Sequence, residues 1–228
     1  MVAFKSLSVA TLAMGVVAQQ PIRYMPMGDS ITEATCWRSK LWHKLQSTEF
    51  AKTNFVGSRN GDSGCNDNTY DKNNEGHSGY MASKIATEKL TGPWLSANPA
   101  DVVSIFLGTN DLAYNHKVDD IIPNFTTILA AIRAANAKMK IVVVQIIPLD
   151  KGQSDRDKKT TPVFNTALAN WAKTNNKTES PIFVADCYNG MNASDYRDAL
   201  HPNEGGDVKI ADNMYPAMLL ALAAAKAG

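Results

Sequence analysis

Short apolar runs punctuate this chain at wide intervals, and helix-period segments fill the spaces between them. Five runs stand out: "IRYMPMG" (22–28), "TNFVGS" (53–58), "DVVSIFLG" (101–108), "KIVVVQIIP" (140–148) and "PIFVADC" (181–187). The third and fourth are almost continuously apolar, the pattern of a strand covered on both faces in a parallel sheet. Between the runs, apolar residues recur at helical spacing: Trp37, Leu41 and Leu45; then Ile121, Phe125, Ile128 and Ile132; then Val163, Leu168 and Trp171. A last helix carries Val208, Ala211, Met214, Tyr215 and Met218, and Pro216 predicts a kink in it. Strands alternating with helices imply βαβ units, hence a three-layer α/β/α sandwich around a five-stranded parallel sheet. No linker or internal repeat interrupts the pattern, so residues 19–228 read as one domain. The polar stretch 59–76 is long for a connection, which predicts that it is functional or held by a disulfide.

Composition narrows the picture. The 228 residues are 44% hydrophobic, enough for one substantial core, and Lys+Arg 23 against Asp+Glu 22 leaves no basic surplus for a polyanion. A nucleic-acid partner is therefore not expected. The N-terminal "MVAFKSLSVATLAMGVVAQQ" has an early lysine, an apolar run, and Val16 and Ala18 at the −3 and −1 positions of a cleavage site. It reads as a secretory signal peptide over residues 1–18, with a mature, extracellular chain beginning near Gln19. No later apolar run reaches the roughly 18 residues of a membrane span, so no membrane partner is expected and the chain is read as a monomer. Export gives the three cysteines meaning. Cys187 lies in an apolar run and reads as a buried thiol, whereas Cys36 and Cys65 flank loop-rich sequence and are paired. Asn124, Asn176 and Asn192 begin sequons, sites for glycosylation in an exported protein.

In a parallel sheet, chemistry collects at the carboxyl ends of the strands. The first run ends in "GDSIT", the third in "GTND", and the segment after the fifth leads to "DALH". Gly-Asp-Ser occurs twice, so position must choose between the copies. Ser30 follows an apolar strand and precedes a helix, where its N–H favours developing negative charge. Ser63, among Asn60, Gly61 and Gly64, has no strand before it and reads as a turn residue. Ser78 in "EGHSGY" nearly spells the G-x-S-x-G elbow, but Tyr80 replaces the last glycine. A serine nucleophile needs a base. His43 and His116 read as surface residues, and His77 as a residue lining the cleft. Only His201 has a carboxylate at close spacing: Asp198 can accept its Nδ1 proton, leaving Nε2 to face Ser30. The oxyanion formed by attack on an ester needs donors, for which Ser30 N–H, Gly79 N–H and the Asn110 side chain are candidates.

Together these blocks resemble the SGNH (GDSL-type) hydrolase superfamily: the Ser of GDS, a Gly, the Asn of GxND and the His of DxxH, here Ser30, Gly79, Asn110 and Asp198/His201, in order across the whole mature chain. The resemblance implies a flavodoxin-like sheet, Ser30 as nucleophile, His201 as base and Asp198 as its orienting partner. "MPMGDSITE", "CWRSKLW", "FVGS", "EGHSGY", "LGTND" and "HPNEGG" are closest to carbohydrate esterase family 3, which includes secreted acetyl xylan esterases. Ahead of its EGHSG block the chain reads "DKNN", where members of that family often carry an acidic-His run. The implied activity is deacetylation of acetylated xylan through an acetyl-enzyme. The alternative is a general acyl esterase, lipase or thioesterase on other esters. Loops rich in Asn, Asp, Gly and Ser, with Trp37, Tyr80 and Trp94 interspersed, suit a sugar better than an acyl chain, although Trp37 reads as a core residue before a sugar platform and Trp94 is divided evenly between the two roles. A non-catalytic carbohydrate binder is disfavoured because every catalytic position holds a competent residue. A flavodoxin-like cofactor binder would need a phosphate-cradling loop that "GDSIT" does not make, and a metal hydrolase would need an H-E-x-x-H or Cys/His cluster. No cofactor or metal is expected.

Overall fold

The apolar runs become the strands of one sheet. The computed structural model describes residues 20–228, so the signal-peptide reading lies outside the described residues. In chain order the elements are β1 (Arg23–Gly28), α1 (Ser30–Glu33), α2 (Trp37–Gln46), β2 (Asn54–Phe55), β3 (Arg59–Asn60), β4 (Asn73–Gly76), α3 (Ala82–Thr87) and α4 (Thr91–Ala97). They continue with β5 (Val102–Phe106), α5 (Thr109–Ala113), α6 (Val118–Ala135), β6 (Lys140–Gln145), α7 (Asp155–Asn175), β7 (Ile182–Asp186) and α8 (Glu204–Ala227).

All five predicted strands form, and they pair in parallel in the order β2, β1, β5, β6, β7. Every residue of β5 and the first five of β6 are buried, as expected of strands covered on both faces by helices. Helices α2 and α8 pack together on one face, with α8 against β5, β6 and β7. Helix α6 is the centre of the other layer, touching α3, α4 and α7.

The sheet has seven strands rather than five. β4 runs parallel to β1 beyond the end of β2 on the same edge, and β3 pairs antiparallel with β4. Both extra strands lie in the polar stretch 59–76 and are written in Arg, Asn, Glu and Gly, so no apolar period marks them. Polar side chains hold them instead. Buried Glu75 accepts Ser58 N at 2.8 Å and Ser58 Oγ at 2.5 Å. Fully buried Arg38 donates to the carbonyls of Thr32, Gly61 and Lys72 at 2.7–2.9 Å.

Two helix details differ from the periodicity. Val163 is 56% and Val208 38% exposed. The buried stripe of α7 is Phe164, Leu168, Trp171 and Ala172, and that of α8 includes Ile210, Ala211, Met214 and Met218. Each valine sits one position off its stripe, about 100° around a 3.6-residue turn. Pro216 lies inside α8 on an exposed position, and the helix continues past it to Ala227.

The stretch 59–76 is tied to α2 by a disulfide between Cys36 and Cys65, whose Cα atoms are 4.9 Å apart and 29 residues apart in sequence. Ser39 Oγ adds a 2.5 Å bond to Asp67. Cys187 is a free, buried thiol pushed up in pKa by burial. Closing a loop of this length stabilises by about 3 kcal/mol. The Cys36→Ser/Cys65→Ser double variant is therefore expected to melt about 6–12 °C lower in calorimetry; an unchanged melting temperature would deny the bond a stabilising role.

Candidate active site

Three strands in register deliver the site. Gly28 of β1 lies opposite Gly76 of β4 and Phe106 of β5. Two, three and four residues further on stand Ser30, Gly79 and Asn110. The edge between β1 and β5 is where the strand order reverses, the place at which such sheets form their clefts. Gly28 must be glycine here: a Cβ would come within 2.1 Å of Thr32 Oγ1 and 2.7 Å of the Phe106 carbonyl.

Ser30 opens α1, which is only four residues long. So short a helix has little macrodipole, and what it offers an anion is the Ser30 N–H itself. That N–H donates to no protein acceptor among the described residues. Asp29 of the same tripeptide turns away, its Oδ1 accepting Ile31 N at 2.9 Å. Burial, reinforced by nearby Asp111 and opposed by the Ile31 amide, pushes the Asp29 carboxyl up to about 7. Asp29 caps the helix and does not face the serine.

His201 closes on Ser30 from the other end of the chain. Its Nε2 lies 2.8 Å from Ser30 Oγ, and its Nδ1 lies 2.9 and 3.1 Å from the two oxygens of Asp198. Asp198 Oδ1 also accepts the amides of Leu200 at 2.8 Å and His201 at 2.7 Å. Burial works against the Asp198 charge, but those two amides and the His201 ring outweigh it and hold the carboxyl at about 2. An ionised carboxylate fixes the imidazole proton on Nδ1, so Nε2 presents a lone pair to the hydroxyl. Such a relay can take a proton from the serine as it attacks.

Gly79 lies in a turn from His77 to Tyr80, closed by a 3.0 Å bond from Tyr80 N to His77 O. Its φ of +78° is a left-handed conformation, which glycine adopts without the Cβ penalty. The Gly79 N–H has no protein acceptor among the described residues. Asn110 Nδ2 donates to Tyr80 O at 2.9 Å, which ties the amide to that turn and leaves its second hydrogen. The structure thus brings Ser30, His201 and Asp198 into one chain of contacts and joins Asn110 to the turn that carries Gly79.

Sequence reasoning missed what holds that turn. Glu33 Oε2 accepts Ser78 N at 2.7 Å and Ser78 Oγ at 2.5 Å, and its other oxygen accepts from Arg59. Burial opposes its charge, but Ser78 and Arg59 prevail and lower its pKa. Asp111, fully buried, accepts the first amides of α3, Ala82 N at 2.8 Å and Ser83 N at 3.2 Å. His77 Nε2 lies 2.7 Å from Glu75, and its ring stacks on Tyr80 and Trp94 with centroids 4.9 and 4.6 Å away. Glu33 carried one signal, its i+3 spacing from Ser30. Asp111 carried another, its place directly after Asn110.

The remaining candidates lie elsewhere. Ser63 is exposed in its loop, and Ser78 is engaged by Glu33. His43 pairs with Asp67 on the surface, and His116 is exposed. Trp37 is fully buried and donates to Ile31 O, a core residue, whereas Trp94 is half-buried. Asn176 and Asn192 are exposed; Asn124 is half-buried in α6 with its amide on Asp120 O.

Known proteins share this arrangement of strands and motifs. No curated protein matches the chain. Among solved structures it is similar to a carbohydrate esterase family 3 protein from Talaromyces cellulolyticus, at 35% identity over 89% of this chain and 98% of that one, with a TM-score of 0.81. It is also similar to a serine-to-alanine mutant of an acetyl esterase solved with acetate ion, at 34% identity, 89% and 98% coverage and a TM-score of 0.80. A Clostridium thermocellum family 3 carbohydrate esterase, 24% identical over 90% and 98% of the two chains with a TM-score of 0.75, shares the fold. The model of the GDSL-like lipase/acylhydrolase family matches residues 27–207, a span that takes in every strand end described above, and the chain belongs to that family as a carboxylic ester hydrolase.

Proposed function

We propose that the protein is a secreted serine esterase that removes acetyl groups from a cell-wall polysaccharide of the acetylated-xylan type. The observation that carries the mechanism is the 2.8 Å approach of His201 Nε2 to Ser30 Oγ, with Asp198 behind the ring. Ser30 Oγ attacks the acetyl carbonyl as its proton passes to His201 Nε2. The oxyanion is met by the N–H groups of Ser30 and Gly79 and by the Asn110 amide. Collapse breaks the bond to the sugar oxygen, which takes the proton from His201 and leaves acetyl-Ser30. Water, deprotonated by His201, then attacks the acetyl carbonyl, and acetate leaves as the proton returns from His201 to Ser30 Oγ. His201 must be neutral to take that proton.

Acetate as the acyl group is supported by the similarity to an acetyl esterase, and a saccharide as its carrier by the similarity to carbohydrate esterases of family 3. Export is supported by the leader-like N-terminus, the sequons and the Cys36–Cys65 bond, since disulfides persist outside the cytosol. Acetate release from acetylated xylan, measured beside phenyl esters of increasing acyl length, tests the substrate. The expected result is release from xylan and a rate that falls beyond acetate. Activity on phenyl butyrate without release from xylan would replace this reading with a general acyl esterase.

A further inference from the structure

The second Gly-Asp-Ser, Gly61–Asp62–Ser63, follows directly on β3, a strand that the sequence pattern did not reveal and that pairs antiparallel with β4. It borders a cleft of about 510 Å³ whose other walls are Glu33, Ser58, Arg59 and Asn60. Glu33 stands three residues after Ser30 in α1, and helical residues at that spacing have Cβ atoms about 5–6 Å apart. One wall of the cleft, Glu33, therefore stands about one sugar ring from the nucleophile. From this geometry we infer that it is a binding subsite for a neutral saccharide unit next to the acetylated ring. The inference rests on the proposed substrate.

Three features select that ligand. First, the lining contributes no apolar side chain, whereas a pocket for an acyl chain is mostly apolar. Second, Arg59 in the lining is paired with Glu33, and Asp62 lies 3.5 Å from Lys72 and bonds Tyr70. An anionic ligand gains no unpaired cation there, while a neutral polyol can bond oxygens and N–H groups that are already fixed. Third, the wall is pre-organised. The Gly61 carbonyl accepts Arg38 at 2.9 Å, Asn60 Nδ2 donates to Asn73 at 2.9 Å, and the Cys36–Cys65 disulfide ties the loop to α2. A rigid wall lowers the ordering cost of binding a flexible saccharide. The exposed Asn60 amide keeps one N–H and its oxygen for a ligand.

Gly61 offers a clean test, because a Cβ placed there meets nothing within 4 Å and its backbone is not left-handed. Gly61→Trp fills the cleft, and Asn60→Ala removes its exposed amide as an independent second variant. Each is compared with wild type by kcat/KM on an acetylated xylo-oligosaccharide and on phenyl acetate, with the melting temperature as a check of folding. The ratio of the two values is expected to fall about tenfold or more, the effect of roughly one lost hydrogen-bonded contact or two. If wild type cleaves both substrates and neither variant moves the ratio, the cleft is no subsite and the substrate reading stands. If wild type cleaves phenyl acetate alone, the substrate reading fails and the subsite with it. If Gly61→Trp instead depresses phenyl butyrate relative to phenyl acetate, the cleft holds the acyl chain and the inference is overturned.

Discussion

Replacing Ser30 by alanine is expected to lower kcat by on the order of 10⁶, the loss seen when the nucleophile of a serine–histidine pair is removed. The variant should fold. Ser30 is half-exposed, and its hydroxyl has one partner among the described residues, the ring of His201. Nothing in the core leans on it: α1 is capped by Asp29 and buries Ile31 and Thr32 instead. His201→Ala should fall nearly as far, and combining the two should cost little more than either alone, because the pair acts as a unit. Rates on phenyl acetate and melting curves for all three variants make the check. Additive losses would mean that the two residues serve separate steps. A Ser30→Ala enzyme with ordinary turnover would dismiss Ser30 as nucleophile, whatever its distance from His201.

How much of this was readable in the sequence depends on what holds each part. β5 and β6 were legible because strands buried on both faces must be apolar for their whole length. The strand ends then located Ser30, Asn110 and the segment of Asp198 and His201 without any contact being known. β3 and β4 were not legible. Asn73, Asn74 and Glu75 form a strand because Asp71, the Lys72 carbonyl and Ser58 satisfy their side chains, and hydrogen bonds of that kind leave no periodicity. The support of the Gly79 turn was hidden for another reason. Glu33 and Ser78 are 45 residues apart, and only the register of β1 with β4 makes them neighbours. The cleft beside Ser30 follows from the same register, since it sets Gly61–Asp62–Ser63 next to the helix that carries Glu33. A tripeptide that reads as turn filling by local rules thus becomes a wall of the site through sheet topology.

Asn110→Ala is expected to reduce kcat by about 10²–10³ with little change in KM, the signature of a donor used chiefly in the transition state. The argument starts from the other hydrogen of the same amide. Its 2.9 Å bond to Tyr80 O fixes which way the side chain faces and keeps it against the turn that carries Gly79. In the proposed mechanism the remaining Nδ2 hydrogen and the Gly79 N–H serve the same developing oxyanion. Removing the side chain takes away the donor and also releases the Tyr80 carbonyl, so the Gly79 N–H should lose some of its aim as well. Asn110→Asp separates these contributions from mere loss of volume. It keeps the size but sets a carboxylate against both the Tyr80 carbonyl and the developing oxyanion, so its kcat should fall at least as far as that of the alanine variant. Steady-state kinetics of the two variants on phenyl acetate decide the matter. A raised KM with kcat intact would make Asn110 a substrate-binding residue, and Asp retaining full kcat would show that no negative charge develops beside it.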